Sequence, residues 1–440
     1  MTPVERFREL LSIPTVSRID PAEVDDEAFA QFHAALERLY PLVHARLERE
    51  VVAGRSLLYR WEGRSADAPL ILLAHQDVVP VDGQGWRHPP FAAEGVGEGA
   101  DATIHARGAI DDKGALVAIL EAVEAALADG VTPAADVWLA FGHDEETRGS
   151  GARAMAALLA TRGVHPALVL DEGGAVVDGA VPGVAAPTAM IGVAERGSAT
   201  FDLVAREAGG HASTPPRLPA TARLARAIDR LRRRPFPRRL TPPVRAMLAT
   251  AAAHTAPALG AVLRNAAVTA PVLTRVFAAL GPETNALVRT TAVVTRLEGS
   301  PADNVLATTA RASVNVRLLT GDTLSDAAIH LHRAISDPLV DIELRRGDDP
   351  SPVSPWRGDA WRRLSGAVSS TLGDDVVPLP YLQLGASDSR FYTGLTDAVY
   401  RFAPFHLTRP ERDALHAPDE RIRVDVWLRG IRFYRALLES

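Results

Sequence analysis

Three short apolar runs, each cut off by histidine or acid, constrain this chain more than anything else in it. Residues 69–74 read PLILLA and stop at His75-Gln76-Asp77. Residues 136–142 read DVWLAFG and stop at His143-Asp144-Glu145-Glu146. Residues 167–170 read ALVL and stop at Asp171-Glu172-Gly173-Gly174. Apolar runs of four to eight residues without polar alternation fit strands covered on both faces, as in a parallel sheet flanked by helices. Helical patterns at 27–48, 113–128 and 152–161 alternate with these runs, and a strand is expected at 56–61. Such alternation predicts right-handed crossovers and one mostly parallel sheet. In open α/β sheets the site lies outside the carboxyl ends of the strands, which is where this chain places its histidine and acids.

The pattern changes near residue 188. A longer alternating strand is expected over 190–206, a helix over 220–233, strands at 289–297 and 310–318, a helix at 322–335 and a strand at 340–345. Strand, helix, strand, strand, helix, strand is the ferredoxin-like order. Residues 235–283, rich in Ala, Leu and Pro, read as broken helix. Helices are expected again at 356–372 and 423–438. A chain of 440 residues is long enough for two or three domains. The expected division is a catalytic domain in two parts, 1–189 and 348–440, with an inserted α+β domain at 190–347 carrying a helical insertion at about 235–283.

Composition removes several function classes. There is no cysteine, so disulfides are impossible and a metal site must use His, Asp and Glu. The net charge of -6 and the lack of a basic stripe argue against nucleic-acid binding. No apolar run reaches 18 residues, so no membrane span is expected. The first residues, MTPVERFRELLSIPTVS, lack the features of a signal peptide, and a cytoplasmic location is the expectation.

The candidate chemistry gathers His75, Asp77, Asp111, Asp112, Glu145, Glu146, Asp171, Glu172 and His416. His75 and Asp77 leave the strand end on the same side, an imidazole beside a carboxylate able to orient it. Asp111 and Asp112 precede a helix beginning at Lys113, the only lysine. Two imidazoles with several carboxylates exceed what one tetrahedral ion takes, and a carboxylate bridging two ions is the economical arrangement. The Glu145-Glu146 pair suits split roles, one binding metal and the other taking a proton from water.

These residues sit in stretches that carry a resemblance: LLAHQDVVPV (72–81), GWRHPPF (85–91), ARGAIDDKG (106–114), GHDEETRGSGA (142–152), LDEGG (170–174), GGHAS (209–213), the run from 286 to 323, GASDSRF (385–391) and HAPDE (416–420). In this order, and over nearly the whole chain, they resemble the M20 family of zinc peptidases and amidohydrolases, nearest its carboxypeptidase S and N-acyl-amino-acid hydrolase branch. The resemblance implies a mostly parallel α/β dizinc domain with an inserted ferredoxin-like lid. It implies two Zn2+ per subunit, with Co2+ or Mn2+ as alternative occupants. His75, Asp111 and Glu172 would hold one ion; Asp111, Glu146 and His416 would hold the other, with Asp111 bridging across a cis Asp111–Asp112 peptide. Asp77 would orient His75, and Glu145 would be the general base. His211 would stabilise the oxyanion, often in the partner subunit's site. Arg317 and Asn304 would bind the substrate carboxylate, and the loop at Ser387 would contact substrate.

The function this implies is hydrolysis of an amide bond next to a free carboxylate, in a peptide or an N-acyl amino acid. The alternatives are a deacylase dedicated to one biosynthetic intermediate, of the N-acetylornithine or succinyl-diaminopimelate type, and an inactive hydrolase-like binding protein. A homodimer through the lid is expected, with no nucleic-acid or membrane partner.

Overall fold

In the computed structural model, which describes residues 1–440 with Ala100 by backbone alone, the three apolar runs are strands Leu70–His75, Val137–Gly142 and Leu168–Asp171. All three are buried at every position. They are direct neighbours, with Leu70–His75 in the middle and parallel to both of the others. The full sheet has nine strands. Its path runs Glu48–Val52, Ser56–Trp61, Val137–Gly142, Leu70–His75, Leu168–Asp171, Val399–Arg401, Thr188–Glu195 and Val377–Gln383, and Val176–Val177 pairs with Thr188–Glu195. The sheet is mostly parallel, with antiparallel pairs at the Glu48–Val52 end and where Thr188–Glu195 meets Val399–Arg401 and Val176–Val177.

Every residue of helix Lys113–Ala128 from Lys113 to Val123 is buried, because the helix lies between the sheet and the terminal helices. Trp427 of helix Val424–Glu439 donates from Nε1 to the Gly114 carbonyl (2.9 Å) and stacks on Phe7 at 4.4 Å between ring centroids. The Lys113 ammonium donates to the carbonyls of Leu10 (3.2 Å) and Ile13 (2.6 Å), tying the first helix to the start of this one.

A second, four-stranded antiparallel sheet runs Thr291–Glu298, Thr309–Leu318, Gly197–Arg206, Val340–Asp348. Helices Ala220–Arg233 and Leu324–Ile335 cover it, and it has a core of its own around Phe201, Leu203, Val314 and Leu331. In chain order its strands lie 4-1-3-2, the ferredoxin-like topology. The single strand expected over 190–206 is two strands in different sheets. Thr188–Glu195 is buried throughout and belongs to the large sheet, whereas Gly197–Arg206 starts the small one. The chain crosses between them at Arg196.

The segment expected as a lid insertion forms helices Pro242–Ala251, Pro257–Arg264, Ala266–Leu280 and Pro282–Val288. Val244, Met247, Leu248, Leu273 and Phe277 from this segment share the hydrophobic core of the large sheet, not that of the small one. Broken-helix composition shows that an apolar face exists but not which sheet buries it. No helix of the described residues is long and apolar enough to cross a membrane.

Candidate metal centre

The neighbouring strand ends deliver the site. His75 and Gly142 are in register on adjacent strands. His75, the run after Gly142 and the pair Asp171-Glu172 therefore emerge along one rim. Asp111 arrives from the loop before helix Lys113–Ala128, and His416 from the loop after Arg409–Arg412.

Asp111 sits at the centre. Its Oδ1 lies 3.0 Å from His75 Nε2, and its Oδ2 lies 3.0 Å from His416 Nε2. His416 Nε2 is also 3.1 Å from Glu146 Oε2. Two groups of donor atoms result, His75 with Asp111 and Glu172, and Asp111 with Glu146 and His416, each with its ligand atoms within 4.8 Å of one another. The Asp111–Asp112 peptide is cis.

Supporting contacts set the ring orientations. His75 Nδ1 lies 2.9 Å from the Asp77 carbonyl. A carbonyl only accepts, so Nδ1 bears a proton there and Nε2 is the ring nitrogen turned to Asp111. The Asp77 carboxylate is fully buried, 3.4 Å from the same nitrogen. It also accepts the main-chain N–H of Glu145 (3.1 Å) and of Glu146 (3.2 Å). One carboxylate thus braces a ligand on one strand end and the acidic turn on the next.

The electrostatics are those of negative charge crowded into a poorly solvated place. Burial pushes the Glu145 carboxyl well up; His75 opposes the shift, and the charges of Asp388, Glu146 and Asp111 add to it. Burial and then the Asp111 charge push Glu146 up to about 7. Glu172 is raised by burial and by Asp111, Asp112, Glu145 and Asp171. Hydrogen bonds to Asp111 and Glu146 push the His416 imidazole up to about 10. For Asp111 burial acts upward, but its bonds to His416 and His75 win and hold it far below the usual carboxylate range. Among the described residues no arginine or lysine pairs with Asp111, Glu145, Glu146 or Glu172. The buried Oε1 of Glu146 and Oδ1 of Asp112 have no partner at all. Clustered oxygen and imidazole donors without organic cations fit divalent metal.

The remaining expected residues are outside the two donor groups. His211 is exposed on a two-residue ribbon paired with Val305–Leu306, its Nδ1 2.7 Å from Ser213 Oγ. Asn304 is exposed beside it, and its carbonyl accepts the Ala212 N–H (3.0 Å). Neither hydrogen-bonds to the ligand cluster. Arg317, on strand Thr309–Leu318, is partly buried with no acidic partner; burial and the neighbouring Arg390 and Arg346 charges lower its pKa. Ser387 is fully buried, its N–H donating to Glu195 Oε2 (3.0 Å) and its Oγ 2.7 Å from Ser389 Oγ. Its polar atoms are thus satisfied within the chain.

Two buried acids to which sequence reasoning gave no role of their own stand against the site. Asp388 is 4% exposed and neither of its oxygens has a hydrogen-bond partner. It is wedged under the acidic turn, where a Cβ on Gly142 would meet its Oδ2 at 2.6 Å. The glycines at 142 and 149, on either side of the turn, were the available signal. The other is Glu420, at the end of the HAPDE stretch.

Comparison with known proteins places this geometry in a family. The family model described as Peptidase family M20/M25/M40 matches residues 71–440. N-fatty-acyl-amino acid synthase/hydrolase PM20D1 of Xenopus tropicalis is 33% identical, over 99% of this chain and 85% of its own length. Probable carboxypeptidase S-like 2 of Dictyostelium discoideum is 32% identical, over 99% of this chain and 84% of its own. The M20 family metallo-carboxypeptidase Sso-CP2 of Sulfolobus solfataricus has the same fold, with a TM-score of 0.71 covering 100% of this chain and 98% of that one at 17% identity. The protein is accordingly an enzyme of the metallopeptidase and amidohydrolase kind, acting on amide bonds. The family resemblance first carried by the motifs holds across the chain, which belongs to peptidase family M20/M25/M40.

Proposed function

We propose that the protein is a dizinc hydrolase that cleaves an amide bond next to a free carboxylate, in a peptide or an N-acyl amino acid. The observation that carries this reading is Asp111, which turns one oxygen to His75 and the other to His416, each at 3.0 Å. A carboxylate shared in that way suits two cations held side by side. His75, Asp111 and Glu172 would hold one Zn2+; Asp111, Glu146 and His416 would hold the other. Cobalt or manganese fits the same donors. When bound, such a pair lowers the pKa of water and polarises the scissile carbonyl.

The chain's own residues supply the proton handling. Glu145 is the base, taking a proton from the attacking water at a carboxylate oxygen and returning it to the leaving nitrogen. Its burial and acidic neighbours raise its pKa above the ordinary carboxyl value, the direction that strengthens a general base. Asp77 fixes Glu145 by its main-chain N–H and fixes His75 by its ring. Arg317, with no carboxylate of its own, takes the substrate carboxylate through its planar fork; Asn304, at the other end of the small sheet beside His211, reaches that carboxylate from the side His211 comes from. His211 stabilises the oxyanion from the small sheet's domain, across a dimer formed through that domain. The exposed Val293 and Leu297 of its outer strand suit such a contact.

The names of the curated relatives favour N-acyl amino acids or C-terminal residues over one fixed biosynthetic intermediate. Hydrolysis of a panel of dipeptides, N-fatty-acyl and N-acetyl amino acids, with metal content measured on the same sample, tests the reading. Turnover without bound metal, or equal turnover of amidated and free-carboxylate substrates, refutes it.

A further inference from the structure

The HAPDE stretch ends in an acid that the ligand set does not use. Glu420 is completely buried, and four N–H groups converge on it. Its Oε2 accepts from Arg107 Nη1 (2.6 Å) and from the Gly108 main chain (3.0 Å). Its Oε1 accepts from the main chains of Ile110 (2.7 Å) and Asp111 (3.1 Å). An ionised carboxylate offers about four acceptor positions, so this one is saturated, and one of its donors belongs to the bridging residue itself.

The same knot reaches the other end of the site. Arg107, 1% exposed, donates from Nη2 to the Ala417 carbonyl (3.1 Å) and to Gln84 Oε1 (3.1 Å). Gln84 Nε2 donates to the His416 carbonyl (3.3 Å), and the Arg107 guanidinium lies over the Trp86 ring at 5.0 Å. His416 needs this help. Its side chain is 53% exposed, and its backbone is in the left-handed region at φ 60°, where residues other than glycine are disfavoured. Little packing holds it except the loop that Arg107 and Gln84 grip. Strand Arg421–Arg423, paired to Thr103–His105, brings Glu420 to the Asp111 loop across three hundred residues of chain.

We propose that Glu420, through Arg107, is a positioning residue that sets the distance between Asp111 and His416 and so maintains the metal position those two share with Glu146. The proposal rests on the two-ion reading above. Glu420→Gln is the informative change, because it keeps the shape but turns an NH2 group toward two of the four donors. Metal-free protein is titrated with Zn2+ against a chromophoric chelator, for the wild type, Glu420→Gln, His416→Ala and the double variant. The wild type is expected to take up two ions. In Glu420→Gln the ion shared by Asp111, Glu146 and His416 is expected to bind about 10–100-fold more weakly, the scale of losing a contact that orients a ligand, and the ion that keeps His75 and Glu172 to lose clearly less. Once His416 is gone, Glu420→Gln should weaken binding little further, since both changes act on one position. If Glu420→Gln fails to fold, Arg107→Lys replaces it. That change keeps the charge beside Glu420 but loses the fork that reaches Ala417 and Gln84, and it should weaken the same ion. Equal weakening of both ions, unchanged binding, or additive losses in the double variant would each overturn the clamp. A wild type that binds fewer than two ions would instead overturn the two-ion reading, and the clamp with it.

Discussion

Replacing Asp77 by asparagine tests the internal logic of the centre most directly. The carboxylate is fully buried, accepts two main-chain N–H groups at 3.1 and 3.2 Å, and lies 3.4 Å from His75 Nδ1. An asparagine of the same shape keeps one accepting oxygen. Oδ1 faces both the Glu145 N–H and His75 Nδ1 and Oδ2 faces the Glu146 N–H, so the asparagine NH2 group must meet either that pair or the Glu146 N–H, donor against donor. A buried donor left unmade costs about 1–3 kcal/mol. Loss of a partner that orients a metal ligand costs about 10–100-fold in affinity, or roughly 1.4–2.7 kcal/mol. Competition against a chelator should therefore show weaker binding of the ion at His75. At saturating metal, kcat for a good amide substrate should still fall short of wild type, because the Glu145-Glu146 turn is no longer held at both of its main-chain N–H groups. A variant with lowered Tm but wild-type metal affinity and wild-type kcat at saturating metal would refute the reasoning and leave Asp77 a stability residue.

Other consequences can be checked separately. Glu145→Gln should lower kcat by about 10²–10⁴ with metal content unchanged; near-normal turnover would remove it as the base. Arg317→Ala should raise KM for free-carboxylate substrates by roughly ten- to a hundredfold, the loss of a charge-assisted hydrogen bond of about 1.5–3 kcal/mol, and should leave amidated analogues unaffected. Far from the centre, Asp202 in the small sheet is raised by burial but lowered further by Ser313, Arg345 and Arg311, so its net pKa lies below the ordinary value. Its ionised form is thus favoured by folding. The stabilisation is present above the unfolded pKa and is lost as pH falls through the depressed one, from about pH 5 downward. Asp202→Asn should flatten the acid limb of a Tm-versus-pH curve; an unchanged limb would place that dependence elsewhere.

Much of the site could be read in the chain because its framework is local. A strand covered on both faces must be apolar along its length, and the change to His75, His143 or Asp171, still buried, marks where the strand gives way to the site. Strand Val377–Gln383 was not legible for the opposite reason. Pro378 and Pro380 lack donors and read as loop, yet the strand lies at the end of the sheet, where missing N–H groups are tolerated. The break at Arg196 was hidden because both flanking segments have strand character, and periodicity says nothing about which sheet a strand joins.

By itself the sequence determined which side chains could bind metal, the strand ends that carry them, and the ferredoxin-like order of the second unit, since each follows from short-range pattern. Only the tertiary structure decided that helices between 242 and 288 complete the large sheet's core, that Ser387 is spent on Glu195, and that Glu420 holds the Asp111 loop. Those facts depend on pairings between segments far apart in the chain, and burial patterns record that a residue is covered without recording by what.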